Sequence, residues 1–527
     1  MQIARIASGS AERYSAEVVG AKAANLARMA TLGLPVPPAF VLPIELCTAV
    51  TNGEPDAAQQ LADGLAEGID FLENATGRVF GDRRRPLLVS VRSGAARSMP
   101  GMLDTVLDVG CTTAAVRGLV RMSGNPRFAH DCHRRFLESY GVVVLGFKQA
   151  AFDTRLNELL AAEEATSAQM LDSAALEQLA SSYRRIIEDY DGTLSDNPID
   201  QLKAAVAAVH RSWMSERART YRKLEHLEFL PGTAVTIQAM VFGNSGATSG
   251  AGVAFSRDPS SGAAVPVIEV LFGSQGEDVV SGRYNPQTEE AIARVLPGVA
   301  AQLRSALAQL EREFNDVQDV EFTIDNGKLW LLQTRAAKRM PLAAVRFAID
   351  LVKEGLIAPA EAARRLNGID LASLTRTRLV NADAPIAHGT GASIGIAVGR
   401  VAFDSDSAAR LGVSGEPVIL VRPDVSTADV AGFAVSAGIL AAVGGRTAHA
   451  ALVARQMGRP CIVGCSELTV DAAHHIARLA GKTIQEGDWL SIDAGAGSVY
   501  LGRAGIISER PESELAEVER WRAVVPA

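Results

Sequence analysis

The sequence predicts a multidomain protein of mixed α/β and α+β class, and three observations carry that expectation. The chain has 527 residues, more than one hydrophobic core usually serves, so about two to four domains are expected. Hydrophobic residues make up 48% and charged residues 21%, the ordinary balance of a folded protein. Helix-period segments also alternate in blocks with short β-rich runs, which places helices and sheets in the same domains.

The elements follow in order. Ala21 to Leu32 has helical spacing and ends at Gly33 and the breaker Pro35-Val36-Pro37-Pro38. Leu87 to Val91 predicts a short buried strand. Residues 112–228 are rich in Ala, Leu, Glu and Arg at helical spacing, as in LDSAALEQLASSYRRIIEDY, and predict a helical subdomain. From 233 to 338 strand signals return: AVTIQAMVFG, GAGVAFSRDP, AVPVIEVLFG, DVEFTID and KLWLLQT, separated by Gly, Asn, Asp and Pro. Asp325-Asn326-Gly327 between the last two predicts a hairpin turn. Residues 341–384 predict a helical linker. A compact unit rich in Gly, Ala, Ser and Val then runs over 385–503, with EPVILVR, GILAAV and CIVG alternating with helices. The tail, 504–527, predicts one exposed amphipathic helix.

Composition excludes several classes. The formal charge of −8 argues against a nucleic-acid coat. Cys47, Cys111, Cys132, Cys461 and Cys465 are odd in number and form no CxxC pair, so a disulfide framework is not expected. The start lacks the apolar core of a signal peptide. The longest nearly apolar stretch, Gly432 to Val443, contains Ser436 and is too short to span a bilayer. A soluble cytoplasmic protein with no membrane partner is expected.

The sharpest chemical signal is Gly444-Gly445-Arg446-Thr447-Ala448-His449-Ala450-Ala451, followed by LVARQMGRP. A strand enters two glycines, and a helix is predicted from near Thr447 to Gly458 and Pro460. His449 then falls in the first helical turn, where unpaired N–H groups and the helix dipole favour an anion. A neutral imidazole is a good nucleophile, and a phosphoryl group on it would meet those donors. Thr447 is positioned to cap the helix or touch the phosphate. Standing alone, this histidine reads first as a satisfied residue beside a turn.

The whole segment, GGRTAHAALVARQMGRPCIVG, resembles the phosphohistidine motif of pyruvate, phosphate dikinases, phosphoenolpyruvate synthases and the first enzyme of the sugar phosphotransferase system. Ala448 stands where that motif usually has Ser, and Arg446 where it often has Met. Arg422-Pro423-Asp424-Val425-Ser426-Thr427-Ala428-Asp429 resembles the same domain, which implies that Arg422 faces the phosphohistidine site. VSVRSGAARSMPGMLDTVLDVG, Val89 to Gly110, resembles the nucleotide domain of the dikinases, and Gly20-Ala21-Lys22-Ala23-Ala24-Asn25-Leu26 resembles their opening glycine-rich segment, with Ala21 and Ala23 as departures. Arg134-Arg135-Phe136 and Gly232 to Gly262 match as well.

What this resemblance implies is an ATP-grasp nucleotide-binding domain over 1–340 and a swivelling phosphohistidine domain over 385–503. It implies His449 as the phosphoryl carrier, with Thr447 and Arg335 beside it in catalysis. Lys22, Arg92, Arg135, Gln238, Glu277, Asp319, Glu321, Gln333 and Arg335 are implied as ATP ligands, with Ser93, Gly94, Ser98 and Gly101 in the phosphate loop. Asp319 and Glu321 alternate onto one strand face, and paired carboxylates call for a cation between them; Mg²⁺ shared with ATP phosphates is the implied partner. ATP and orthophosphate would give the phosphohistidine protein, AMP and pyrophosphate, with the phosphoryl group destined for pyruvate. No GxxxxGK[ST] loop is present, in keeping with ATP-grasp chemistry. Dikinases continue into a C-terminal barrel of about 250 residues, so a separate pyruvate- or phosphoenolpyruvate-binding subunit is expected to complete the cycle. Two alternatives stay open at this point: a synthase-like enzyme using water in place of orthophosphate, and a non-catalytic nucleotide-sensing subunit.

Overall fold

A computed structural model of the chain describes residues 3–524 apart from 98, 100–101, 190–193, 414, 425–428 and 472–473, with backbone alone at 430, 449–450 and 523–524. The chain divides into two compact units: Met1–Ser249 with Thr323–Thr334, and Gly250–Phe322 with Arg335–Ala527.

The first unit is built on a five-stranded sheet in the order Ala4–Ile6, Ala39–Leu42, Ala234–Ala239, Val89–Gly94, Thr105–Val109. Every neighbouring pair is antiparallel. The Ala234–Ala239 strand is buried along its whole length, as a central strand covered on both faces must be. The helices of 112–228 do not form a core of their own. Phe128, Phe136, Tyr183 and Leu202 share one buried cluster with Val91, Val106 and Ile237 of the sheet. Each large side chain buried there contributes about 1.5–3 kcal/mol.

The second unit contains two large sheets, besides a three-stranded and a two-stranded one. One has the order Gln287–Thr288, Val267–Phe272, Gly250–Phe255, Gln318–Asp325, Lys328–Ala336; residues 323–334 of its last hairpin group with the first unit. The turn of that hairpin is as the Asn-Gly pair predicts, with Asn326 at φ 49° and Gly327 at φ 78°. The other sheet has eight strands, ordered Ala387–His388, Ser498–Leu501, Trp489–Asp493, Ile396–Ala402, Val418–Arg422, Gly438–Ala441, Cys461–Val463, Thr390–Ser393. Its centre is parallel and its flanks antiparallel. Alternation feeds two cores: Ile419 and Val421 face one cluster, Val418 and Leu420 the other. The helix His449–Gln456 lies on the second, through Ala451 and Ala454.

Several local expectations change. The first helix begins at Ala16, with a break at Gly20 (φ 79°, ψ 155°). Residues Arg376–Val380 are a strand, and Gly505–Glu509 pairs with it antiparallel; neither segment is helical. The tail helix Glu512–Val524 is amphipathic but not exposed all round. Leu515, Val518 and Trp521 are buried with Val345, Leu351 and Leu366 from the helices Pro341–Lys353 and nearby. Glu514 is not a solvated charge either: it pairs with Arg346 and Arg376. The apolar face of this helix is therefore already covered. All five cysteines are buried and none forms a disulfide. Among the described residues no helix is long and apolar enough to cross a membrane.

Candidate active site

In the first unit, the predicted residues come from five elements. Lys22 lies two residues after the break at Gly20, in the helix Ala16–Thr31. A Cβ at Gly20 would stand 2.1 Å from the carbonyl oxygen of Gly94, so only glycine permits this approach. Ala21 N–H donates to the Ala95 carbonyl at 2.9 Å. These contacts bring the Lys22 segment against the end of the Val89–Gly94 strand, which carries Arg92. Arg135 is buried on the helix Pro126–Val143 and donates Nε to Asp131 Oδ2 at 3.1 Å. Arg134 donates to the other oxygen at 2.8 Å, and Asn244 Nδ2 donates to Asp131 Oδ2 at 2.6 Å. Burial pushes the Asp131 carboxyl up, but the two guanidiniums and the amide outweigh it and hold it well below the usual carboxylate range. Gln238 is buried on the central strand, its Nε2 donating to the Pro37 carbonyl at 3.4 Å. Gln333 is buried beside Thr334, whose carbonyl accepts from Asn25 Nδ2 at 3.0 Å.

In the second unit, Asp319 and Glu321 alternate along Gln318–Asp325 as expected. The cation beside Asp319 is in the first place Arg335, whose Nε donates to Asp319 Oδ2 at 2.8 Å. Burial raises the Asp319 carboxyl above its ordinary value; Arg335 opposes this and Glu321 adds to it. Asp319 Oδ1 is buried with no hydrogen-bond partner. An unsatisfied buried carboxylate oxygen is costly, and beside a second carboxylate it suits a hard cation with oxygen ligands. The residues present therefore fit a divalent metal carried by a nucleotide. No group of three or more His, Cys, Asp or Glu side chains arranged for a metal exists among the described residues. Glu277 is exposed in the first turn of the short helix Gly276–Val280, where Gln275 and Asp278 make the capping contacts. Arg257, in the SRDP motif, forks onto Glu311 at 2.9 and 2.6 Å and reaches Glu354 at 2.6 Å. That motif thus ties the sheet to two helices.

The loop before His449 differs from expectation. Helix His449–Gln456 starts at His449 itself, and Ala448, not Thr447, is its N-cap, with no side-chain capping bond. The Thr447 hydroxyl instead donates to Glu269 Oε2 at 2.6 Å. Ala448 is fully buried in the small-residue core under the helix, where a Ser hydroxyl would need a partner. Arg422 turns to the Phe403 carbonyl at 2.7 Å and to Asp429 at 3.3 Å. The His449 side chain, Ser98, Gly101, Ser426 and Thr427 lie outside the described residues. Sequence reasoning missed Asp131, Asn244, Glu269 and Arg455. The one available signal was an acidic residue inside the apolar strand run VIEVLF, which demands buried donors.

The fold and the side chains define a class: a mixed α/β portion with buried cationic and carboxylate side chains, followed by a compact α/β portion bearing a histidine at a helix start. The family described as "Pyruvate phosphate dikinase, AMP/ATP-binding domain" matches residues 56–300 and 289–354, and that described as "PEP-utilising enzyme, mobile domain" matches 414–497. The chain belongs to the pyruvate, phosphate dikinase family. Pyruvate, phosphate dikinase of Clostridium symbiosum is 40% identical over 491 residues, covering 92% of this chain and 56% of that protein. The Rhizobium meliloti protein of the same name is 39% identical over 98% of this chain and 59% of its own length. Pyruvate, phosphate dikinase 1 of Arabidopsis thaliana, a chloroplastic protein, is 40% identical over 96% of this chain and 53% of its own length. The chain spans a little over half the length of these curated relatives.

Proposed function

We propose that this chain carries out the ATP half of a pyruvate, phosphate dikinase reaction, with His449 as the phosphoryl carrier. The observation that supports it best is the position of His449 as the first residue of a helix that follows a Gly-Gly loop, in a chain of this family. An imidazole nitrogen attacks the β-phosphorus of ATP and AMP leaves. An oxygen of orthophosphate then attacks the γ-phosphorus, so pyrophosphate leaves and one phosphoryl group stays on the imidazole. Pyruvate, taken from the relatives' names, is the final acceptor.

In the first unit, Lys22, Arg92 and Arg135 are assigned to phosphate binding and Gln238 and Gln333 to the nucleotide. In the second, Asp319 and Glu321 are assigned to the metal, Mg²⁺, and Glu277 to its surroundings. When bound, Mg²⁺ would neutralise phosphate charge as ATP is cleaved. Arg335, fixed by Asp319, supplies a preorganised positive charge for the transferring group. The nucleotide portion is assigned an ATP-grasp architecture over 1–340, and residues 385–503 the role of a swivelling carrier.

Orthophosphate is the discriminating reagent. Pyrophosphate should form only when orthophosphate is supplied, in an amount equal to the AMP released. Steady AMP formation without orthophosphate, with orthophosphate released from ATP, would assign the chain to the water-using branch instead.

A further inference from the structure

The loop Gly444–Thr447 is clasped by one wall of its own unit. Gly444 N–H donates to Asn285 Oδ1 at 2.9 Å. Arg446 N–H donates to Glu269 Oε1 at 2.7 Å, and Thr447 donates to Glu269 Oε2 through both its N–H, at 2.9 Å, and its hydroxyl. Glu269 is only 5% exposed and stands in the strand Val267–Phe272. The fit leaves no room for a side chain at Gly445, where a Cβ would meet Pro286 Cγ at 2.4 Å and Glu269 Oε2 at 2.8 Å. From within the helix, Arg455 Nη2 donates to the Arg446 carbonyl at 3.1 Å and to the Ala392 carbonyl at 2.7 Å. The loop is thus held from both sides.

Three donors just ahead of a helix start are the kind of group that receives an anion. Here the anion is a carboxylate of the same chain. We infer that Glu269 is a positioning residue for the carrier loop: it seats the loop while His449 is unphosphorylated, and it loses that hold when a phosphoryl group arrives. The reason is electrostatic. A phosphoryl group on His449 adds negative charge two residues beyond Thr447, which Glu269 holds, and like charges at short range repel. The phosphoryl oxygens also compete for the donors that Glu269 uses. Phosphorylation and release from the wall are thereby coupled through one side chain. This inference rests on the reading of His449 as the carrier.

The test combines amide hydrogen exchange with single-turnover labelling, on the full chain. In the unphosphorylated protein the Arg446 and Thr447 amides should be protected. Glu269→Ala should speed their exchange about tenfold or more while leaving the strand Gly438–Ala441 unchanged, as expected of a local opening. Gly445→Ala, which keeps Glu269 but wedges a Cβ into the clasp, should do the same. After incubation with Mg·ATP and orthophosphate, the wild-type amides should exchange as in Glu269→Ala. Histidine labelling in a single turnover should slow about tenfold or more in Glu269→Ala, because misplacing a nucleophile slows transfer. The half-saturating Mg·ATP concentration should stay the same, and Glu269→Gln, which keeps an acceptor, should fall between. Unchanged protection in Glu269→Ala would overturn the inference, as would lost protection with labelling at the wild-type rate. If the wild type takes no label on His449, the proposed function fails, while the exchange data still report whether Glu269 seats the loop.

Discussion

At the scale of single residues, two buried charge clusters divide the labour between holding the fold and handling charge. Asp131 joins Arg134, Arg135 and Asn244 in the first unit. Its carboxyl is held below the ordinary range, so it adds stability above the unfolded carboxyl value of about 3.9 and loses it as pH falls through the depressed value. Asp131→Asn leaves two guanidiniums buried against a neutral group, which should cost about 3–5 kcal/mol near neutrality. Melting curves of the two proteins should lie far apart at pH 7 and converge on acidification; a constant gap would show that the carboxylate charge is not what matters. In the proposed reaction Arg335 serves both purposes. Arg335→Ala should slow histidine phosphorylation about 10²–10³-fold and also leave Asp319 buried without its guanidinium. The double variant Asp319→Asn/Arg335→Ala should recover much of the stability and none of the rate. Recovery of both would make Arg335 purely structural.

At the scale of elements, what was legible in the sequence was whatever local chemistry dictates. The strands Gly250–Phe255, Val267–Phe272 and Gln318–Asp325 announce themselves as β-branched and aromatic runs between Gly, Pro and Asn, and the Asn326-Gly327 turn follows from the need for positive φ at both positions. The strand Arg376–Val380 was not legible, because its partner Gly505–Glu509 comes far later in the chain and its own composition carries no periodic signal. The stripe Leu515, Val518, Trp521 reads as amphipathic, but nothing local says that helices at 341–366 cover it. The site divides in the same way. Lys22, Arg92, Asp319, Glu321, Arg335 and His449 stood out by motif, whereas the bond from Glu269 to residues 446 and 447 spans a separation of 177 and 178 residues. The break at Gly20 is an element-scale device with its own consequence. Gly20→Ala places a Cβ 2.1 Å from the Gly94 oxygen at φ 79°, so the helix must move from the Val89–Gly94 strand. Half-saturation by ATP should rise by about tenfold or more if Lys22 is a phosphate ligand, since a lost charge-assisted contact of about 1.5–3 kcal/mol corresponds to that range. An unchanged ATP dependence in a folded variant would remove Lys22 from the nucleotide site.

At the scale of the whole molecule, the account joins a family assignment to one chemical claim, that the chain passes a phosphoryl group from ATP to His449. The first unit holds Lys22, Arg92, Arg135 and Gln238 on one sheet and its helices; the second holds a carboxylate–guanidinium pair and a clasped loop at a helix start. The most direct measurement is labelling with ATP carrying radioactive phosphorus at the β or the γ position, in the presence of Mg²⁺ and orthophosphate. The account predicts alkali-stable, acid-labile label from β-labelled ATP only, confined to the peptide containing His449 and absent from His449→Ala. Label retained in His449→Ala, or delivered from the γ position, would contradict it.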